Sequence, residues 1–374
     1  MNRRLFVALP ALALAALVAG CGQDSNKAGD VAKKTMGDAA APILVCFVYV
    51  NPIADAGWTY QHDQGRKEME KALGGRVMTR FVENVAEGTD AERVIRELAQ
   101  SGCSVIFATS FGYMNYMERV SQQFPKVIFM HATGYKTGPN FGIYNARFYE
   151  GRFLNGVIAG KMTKSNILGY VAAFPIPEVL QGINAFIRGA RSVNPKVELR
   201  VIWTNSWYDP SKEREAANTL IAQGADIITN HTDSTSVVQA AEDKGKYAFG
   251  YHSDMSKYGP HAQLSATTHH WGDFYTKTVS DVLAGTWKTT HVWGGMKDGM
   301  IKLAPINSAV PADVSALVAT LESEIKAGTL HPFAGPVVDQ DGVTRVAAGK
   351  TMSDDELGKM DYYVEGVASK LAKK

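Results

Sequence analysis

Ile43-Leu44-Val45-Cys46-Phe47-Val48-Tyr49-Val50, followed at once by Asn51-Pro52-Ile53-Ala54-Asp55-Ala56-Gly57-Trp58-Thr59-Tyr60-Gln61-His62, decides the fold. The first part is an unbroken apolar run, as in a strand covered on both faces. The second part interrupts it with Asn, Pro and Asp. A helical pattern then occupies 57–73 and ends at Gly74-Gly75, the residue type that closes helices. Strand, polar loop and helix in that order form the repeating unit of a parallel α/β sheet.

The unit recurs outward from there. Strands are expected at 77–82, 105–108 and 127–131. Helices are expected at 89–100, where Val94, Ile95 and Leu98 share a face, and at 113–123. The pattern starts again with strands at 167–172, 198–203, 226–229 and 247–251, and helices at 177–192, 211–223 and 234–244. Two α/β units of similar size predict two lobes. Open parallel sheets bind ligands beyond the carboxyl ends of their strands, so two facing lobes make a cleft that closes by hinge motion.

The length of 374 residues accommodates two domains, and 45% hydrophobic with 20% charged residues is the balance of a globular chain. A net charge of +2 provides no footprint for nucleic acid. Cys46 and Cys103 each lie inside an apolar run and are read as buried free thiols, with a disulfide as the alternative outside the cytoplasm. No Cys or His spacing fits a metal: His269 and His270 are adjacent, and His231 has only Asp233 nearby. No metal and no cofactor is expected.

Arg3 and Arg4 precede the apolar stretch 5–18, then Ala19-Gly20-Cys21 and a polar run. This is the layout of a secretory signal, too short to span a bilayer. Val18-Ala19-Gly20-Cys21 resembles the lipobox of bacterial lipoproteins. The resemblance implies a signal peptide at 1–20, lipid on Cys21 and a flexible tether over 21–41. The protein is then held at the periplasmic or outer face of the bacterial cell membrane.

The expected strand ends carry unusual clusters. They include Thr109-Ser110-Phe111-Gly112-Tyr113-Met114-Asn115, Trp203-Thr204-Asn205-Ser206-Trp207-Tyr208-Asp209-Pro210, Asn230-His231-Thr232-Asp233, His252-Ser253-Asp254 and Thr267-Thr268-His269-His270-Trp271. Aromatic rings beside Asn and Asp suit a flat, heteroatom-rich ligand: rings stack on its face, and amide and carboxyl groups read its edge. His231, Asp233 and Trp271 are counted among the binding residues on this ground.

The same clusters resemble the basic membrane protein family, substrate-binding lipoproteins of ABC importers for purine nucleosides and related compounds. The family's Asp-Lys-Ser-Phe-Asn-Gln is similar to Asp55-Ala56-Gly57-Trp58-Thr59-Tyr60, with Gly65 in the matching later place. Its Gly-x-Gly-Phe resembles Ala108-Thr109-Ser110-Phe111, and its Gly-Ser-Phe-x-Asp-Pro resembles Asn205-Ser206-Trp207-Tyr208-Asp209-Pro210. Gly224-Ala225-Asp226-Ile227-Ile228, Gly250-Tyr251-His252-Ser253-Asp254, Lys297-Asp298-Gly299 and Leu303-Ala304-Pro305 continue the match in order.

The resemblance implies a two-lobed type I periplasmic-binding-protein fold, with parallel sheets flanked by helices and a ligand cleft between lobes. The expected first lobe is 42–145 plus about 252–300, and the second is 146–251 plus about 301–374. By position, the aromatic pair that sandwiches the purine becomes Trp58 and Trp207. The acidic residue that reads the base edge falls at Asn115, and the ribose-hydroxyl ligand at Asp254. Thr59 stands where the family has Asn, and Thr268-His269-His270-Trp271 where a cation is expected. These departures point to a free purine base, or a purine with another appendage, rather than an ordinary nucleoside. The partner is an ABC permease. Two alternatives are a nucleoside hydrolase using Asp233 and Asp254, and a ligand sensor without a transport role; release of free base from nucleosides separates the first from binding.

Overall fold

A computed structural model describes residues 41–371. The signal, Cys21 and the tether lie outside the described residues. Strand β1 (Ile43–Val48) leads into helix α1 (Trp58–Leu73), then β2 (Val77–Val82), α2 (Thr89–Gln100), β3 (Cys103–Ala108), α3 (Met114–Ser121), β4 (Ile128–Ala132) and β5 (Phe141–Ala146). The chain then passes through α4 (Phe148–Met162) into β6 (Ile167–Ala172), α5 (Pro177–Val193), β7 (Glu198–Trp203), α6 (Pro210–Ala222), β8 (Ile227–His231), α7 (Ser236–Asp243), β9 (Tyr247–His252) and β10 (Gln263–His269). It continues through α8 (Gly272–Leu283), β11 (His291–Gly294), β12 (Ile301–Leu303) and α9 (Ala312–Ala327).

These strands form two six-stranded sheets, in the orders β11-β5-β4-β3-β1-β2 and β12-β10-β9-β8-β6-β7. Every pairing is parallel except β10 with β12. Each sheet reverses winding direction once near its middle, between β1 and β3 in one and between β6 and β8 in the other. Such switch points open a crevice at the carboxyl edge, because the flanking helices depart to opposite faces.

The apolar runs are fully covered, as their continuity predicts: Val45 through Tyr49 have no exposure. Helix α4 is buried almost along its whole length and packs against α5 at glycine-to-backbone distance. A Cβ on Gly156 would sit 2.0 Å from the Phe186 carbonyl oxygen, and one on Gly189 would sit 2.0 Å from that of Phe153. The last described residues run beside β7, where Leu199 donates to Gly366 O and Ala368 donates to Leu199 O, covering an otherwise open sheet edge.

Two expectations are corrected. Cys46 and Cys103 are joined in a disulfide, not free. They sit on adjacent strands β1 and β3 with Cα atoms 5.9 Å apart, within bridging range. The return to the first lobe is not near His252. Strand β10 still pairs with β9 in the second sheet, and the chain crosses back only after His269. It enters α8, which packs on α1, and crosses a third time between β11 and β12. Pairing with β9 on one side and β12 on the other keeps all of Gln263–His269 buried in the second sheet.

Candidate binding site between the lobes

The carboxyl edges of the two sheets face each other across a narrow cavity of about 20 Å³. The first lobe contributes Val50 after β1, Trp58 at the start of α1, Ser110 and Phe111 after β3, and Thr133 after β4. The second contributes Ile176 and Glu178 after β6, Trp207 after β7, His231 and Asp233 at the end of β8, and His252 at the end of β9. Both switch points therefore open onto one space. Thr133 and His252 have positive φ (64° and 66°), as does Asn205 at the end of β7 (51°). Such backbone is unfavourable for residues other than glycine and concentrates where side chains must be aimed.

The lobes meet around this cavity. Asn51 Nδ2 donates to Asp233 Oδ2, Gly57 N donates to Ser253 Oγ at 3.0 Å, and Gln61 Nε2 donates to His252 O at 3.0 Å. Each bond joins the first lobe to the second.

Trp58 is held in one plane. Its Nε1 donates to Thr109 O at 2.6 Å, and its ring meets His62, His252, His269 and Trp271 edge-on at centroid distances of 4.3 to 5.9 Å. Trp207 is half-buried against Phe174 (5.1 Å), and its buried Nε1 has no partner. Buried Glu213 fixes the loops of both second-lobe groups. Its Oε1 accepts from Asp209 N (3.0 Å), and its Oε2 accepts from Thr232 Oγ1 (2.8 Å) and Ser234 Oγ (2.6 Å).

The polar wall is electrically quiet. Burial pushes the Asp233 carboxyl up to about 8, against the pull of the Asn51 amide. Burial, reinforced by Asp233, pushes Glu178 up to about 8. Burial holds His231 and His252 well below the usual imidazole range, and the nearby Arg152 guanidinium adds to it. Arg152 is fully buried over Tyr251, 3.4 Å from the ring centroid, and donates to Thr229 Oγ1 (3.0 Å) and Asn230 O (2.5 Å). Burial thus biases the acids and imidazoles of this wall toward their neutral forms, which match an uncharged ligand better than an ion.

Of the residues singled out in the sequence, Trp58, Trp207, His231 and Asp233 line this cavity. Thr59 is buried in the first turn of α1 and does not line it. Trp271 lies behind Trp58, stacked on His62 at 4.8 Å and 10°. Asn115 and Asp254 are exposed and outside the cavity; Asp254 accepts from Gln263 Nε2 at 2.7 Å and Ser256 N at 2.9 Å. No group of three or more His, Cys, Asp or Glu placed to hold a metal occurs among the described residues.

Residues 43–329 match the model of a family described as ABC transporter substrate-binding protein PnrA-like. The chain belongs to this family. A purine-binding protein of Brucella abortus is 53% identical over 329 residues, covering 88% of this chain and 94% of that one. A Haloferax volcanii protein named for ABC transport and glucose binding is 39% identical over 326 residues, covering 87% and 80%. Among solved structures, an ABC transporter solute-binding protein of Aeropyrum pernix superposes with a TM-score of 0.68 at 17% identity, covering 85% and 96%. That likeness shows the fold, the two-lobed arrangement of solute-binding proteins.

Within this substrate-binding framework the sequence reading missed Glu178, Thr133 and Ile176, and did not select His252 although it quoted that strand end. The rule that found Trp58 and Trp207 also applies to β6. The residues after it, Ala173-Phe174-Pro175-Ile176-Pro177-Glu178, form such a strand end, but their acid falls in the first turn of α5, where acidic residues are ordinary.

Proposed function

We propose that this protein binds a purine base between Trp58 and Trp207 and delivers it to an ABC permease, tethered outside the cytoplasm by lipid on Cys21. The carrying observation is the shared cavity at both switch points, with an indole from each lobe and neutral hydrogen-bonding groups around it. A purine has two stackable faces and an edge of alternating donors and acceptors, and it is uncharged at neutral pH. Its capture requires that wall chemistry. The name of the Brucella abortus relative supports the same ligand class.

The free base is favoured over the nucleoside by the sugar-side positions. Asp254 is exposed and engaged by Gln263, and Thr59 is turned into the core. Transport follows from closure. Only the closed form brings the first-lobe Trp58 and second-lobe Trp207 to one ring, so ligand shifts the protein toward the form a permease can recognise.

Calorimetry with adenine, guanine, hypoxanthine, xanthine and their nucleosides tests this reading. At least one base binds more tightly than its nucleoside. Nucleosides binding tenfold tighter than every base, about 1.4 kcal/mol, overturn the free-base assignment. Absence of binding by every purine overturns the ligand class. Replacing Cys21 with Ser moves the protein from the membrane fraction to the soluble fraction if the lipid tether is right.

A further inference from the structure

Glu178 holds an unusual position for a carboxyl. It stands at the second residue of α5, its side chain is nine-tenths buried, and it faces the cavity. Its Oε1 is 3.4 Å from His231 Nε2, while its Oε2 is buried without a hydrogen-bond partner. Among the described residues no Lys or Arg pairs with it. The buried guanidinium of Arg152 is committed to Thr229 and Asn230. A buried carboxyl oxygen left without a partner is destabilising unless something else satisfies it, and the cavity is where that partner can sit.

We propose that Glu178 is the residue that reads the ligand's edge, through a two-point pair in which one carboxyl oxygen accepts an N–H of the heterocycle and the other carries a proton and donates to the adjacent ring nitrogen or carbonyl. The inference rests on the purine-base reading above and assigns the edge contact to the second lobe rather than to Asn115, which is exposed and off the cavity.

The local groups are arranged for the protonated form. Burial raises the proton affinity of this carboxyl, and Asp233, on the same wall, raises it further. The neutral His231 imidazole can donate through Nε2 to one lone pair of Oε1, leaving its other lone pair to accept the ligand N–H and a protonated Oε2 to donate. A neutral acid offers one donor and one acceptor side by side. The complementary ligand class is a planar heterocycle with an adjacent donor and acceptor: the amidine edge of a 6-aminopurine, or the lactam edge of a 6-oxopurine. An ionised carboxylate offers acceptors only and repels the ring nitrogen of the amidine.

Calorimetry on the full-length protein with adenine, unsubstituted purine and 6-dimethylaminopurine tests the assignment, using wild type, Glu178→Gln and Glu178→Ala. Unsubstituted purine and 6-dimethylaminopurine both lack the exocyclic N–H. In wild type they bind at least about tenfold more weakly than adenine, because a site built for a hydrogen bond rejects a ligand lacking it. Glu178→Gln keeps adenine affinity within about threefold, since an amide also presents one donor and one acceptor. Glu178→Ala loses at least about tenfold for adenine, and its preference for adenine over unsubstituted purine collapses toward unity.

Equal affinity of wild type for adenine and 6-dimethylaminopurine overturns the proposal, even if neither variant folds. So does an unchanged adenine-to-purine ratio in Glu178→Ala. If wild type binds none of the three and none of guanine, hypoxanthine and xanthine, the purine reading itself fails, a result distinct from either of these.

Discussion

Gly57 and the Asp233 carbonyl meet across the interlobe gap so closely that a Cβ on Gly57 would lie 2.2 Å from that oxygen. Gly57 also has a φ of 101°, a conformation side chains disfavour. It sits between the polar loop after β1 and the helix that begins with Trp58. The contact therefore sets how far the lobes can close over the cavity. Gly57→Ala must hold them apart or distort the loop. The expected result is at least a tenfold loss in ligand affinity, about 1.4 kcal/mol, with a larger radius of gyration by X-ray scattering in the presence of ligand. A variant as compact as wild type with unchanged affinity contradicts the role given to this contact.

The two indoles should separate by experiment. Trp58 is buried in a ring cluster and hydrogen-bonded, so Trp58→Ala lowers unfolding free energy by roughly 3–5 kcal/mol as well as affinity. Trp207 is half-buried, with an unpartnered Nε1. Trp207→Ala lowers affinity at least about tenfold, while stability falls by less than for Trp58→Ala. Urea unfolding beside calorimetry separates the two effects. Unchanged purine affinity in both variants removes the stacking model.

Stability of the ligand-free protein should decline as pH rises from about 6.5 to about 8. Burial pushes Glu178 and Asp233 up to about 8 and Glu150 up to about 7, while unfolded carboxyls titrate near about 4. The folded protein thus binds more protons than the unfolded chain through that interval, and its stability falls as pH rises. Buried imidazoles act oppositely: His131, pushed down to about 4 by burial, favours folding as pH rises toward about 6.5. Between about 6.5 and 8 the carboxyl effect stands alone, at up to about 1.4 kcal/mol per pH unit for each group. Urea midpoints measured across that range should fall, and Glu178→Gln or Asp233→Asn should each flatten the fall.

The fold was legible because parallel strands covered on both faces leave continuous apolar runs, as at 43–50, and because helices between them keep one apolar face. Helix α4 was not, for the opposite reason. It is apolar around its whole circumference apart from Glu150, Arg152, Asn155 and Lys161, so no period marks it. The late return of the chain was not legible because β10 has only Leu264 and Ala266 as apolar residues and carries no strand pattern that assigns it to either sheet. At the site, Trp58 and Trp207 stood out as aromatic residues after strands. Glu178 stood at a helix start, where an acidic residue is ordinary, and only three-dimensional structure shows that it is buried and facing the cavity. Asn115 and Asp254 matched by position in a motif, but local backbone turns both to solvent.

The Cys46–Cys103 bridge closes a loop with a sequence separation of 57 residues between adjacent strands. In the chain-entropy account, a loop of that length removes about 4 kcal/mol of unfolded-state freedom. Both sulfurs sit in the core cluster shared by β1, β3 and α2, which is distinct from the cluster containing Trp58 and Trp271. Removing the bridge should therefore lower stability without disturbing the cavity. Cys46→Ala with Cys103→Ala is expected to reduce unfolding free energy by about 2–4 kcal/mol and to leave ligand affinity within about twofold. A reductant should lower the melting temperature of wild type but not that of the double variant. If affinity falls along with stability, β1 and β3 transmit strain from the bridge to Val50, Ser110 and Phe111 at their carboxyl ends, and the two clusters are not independent.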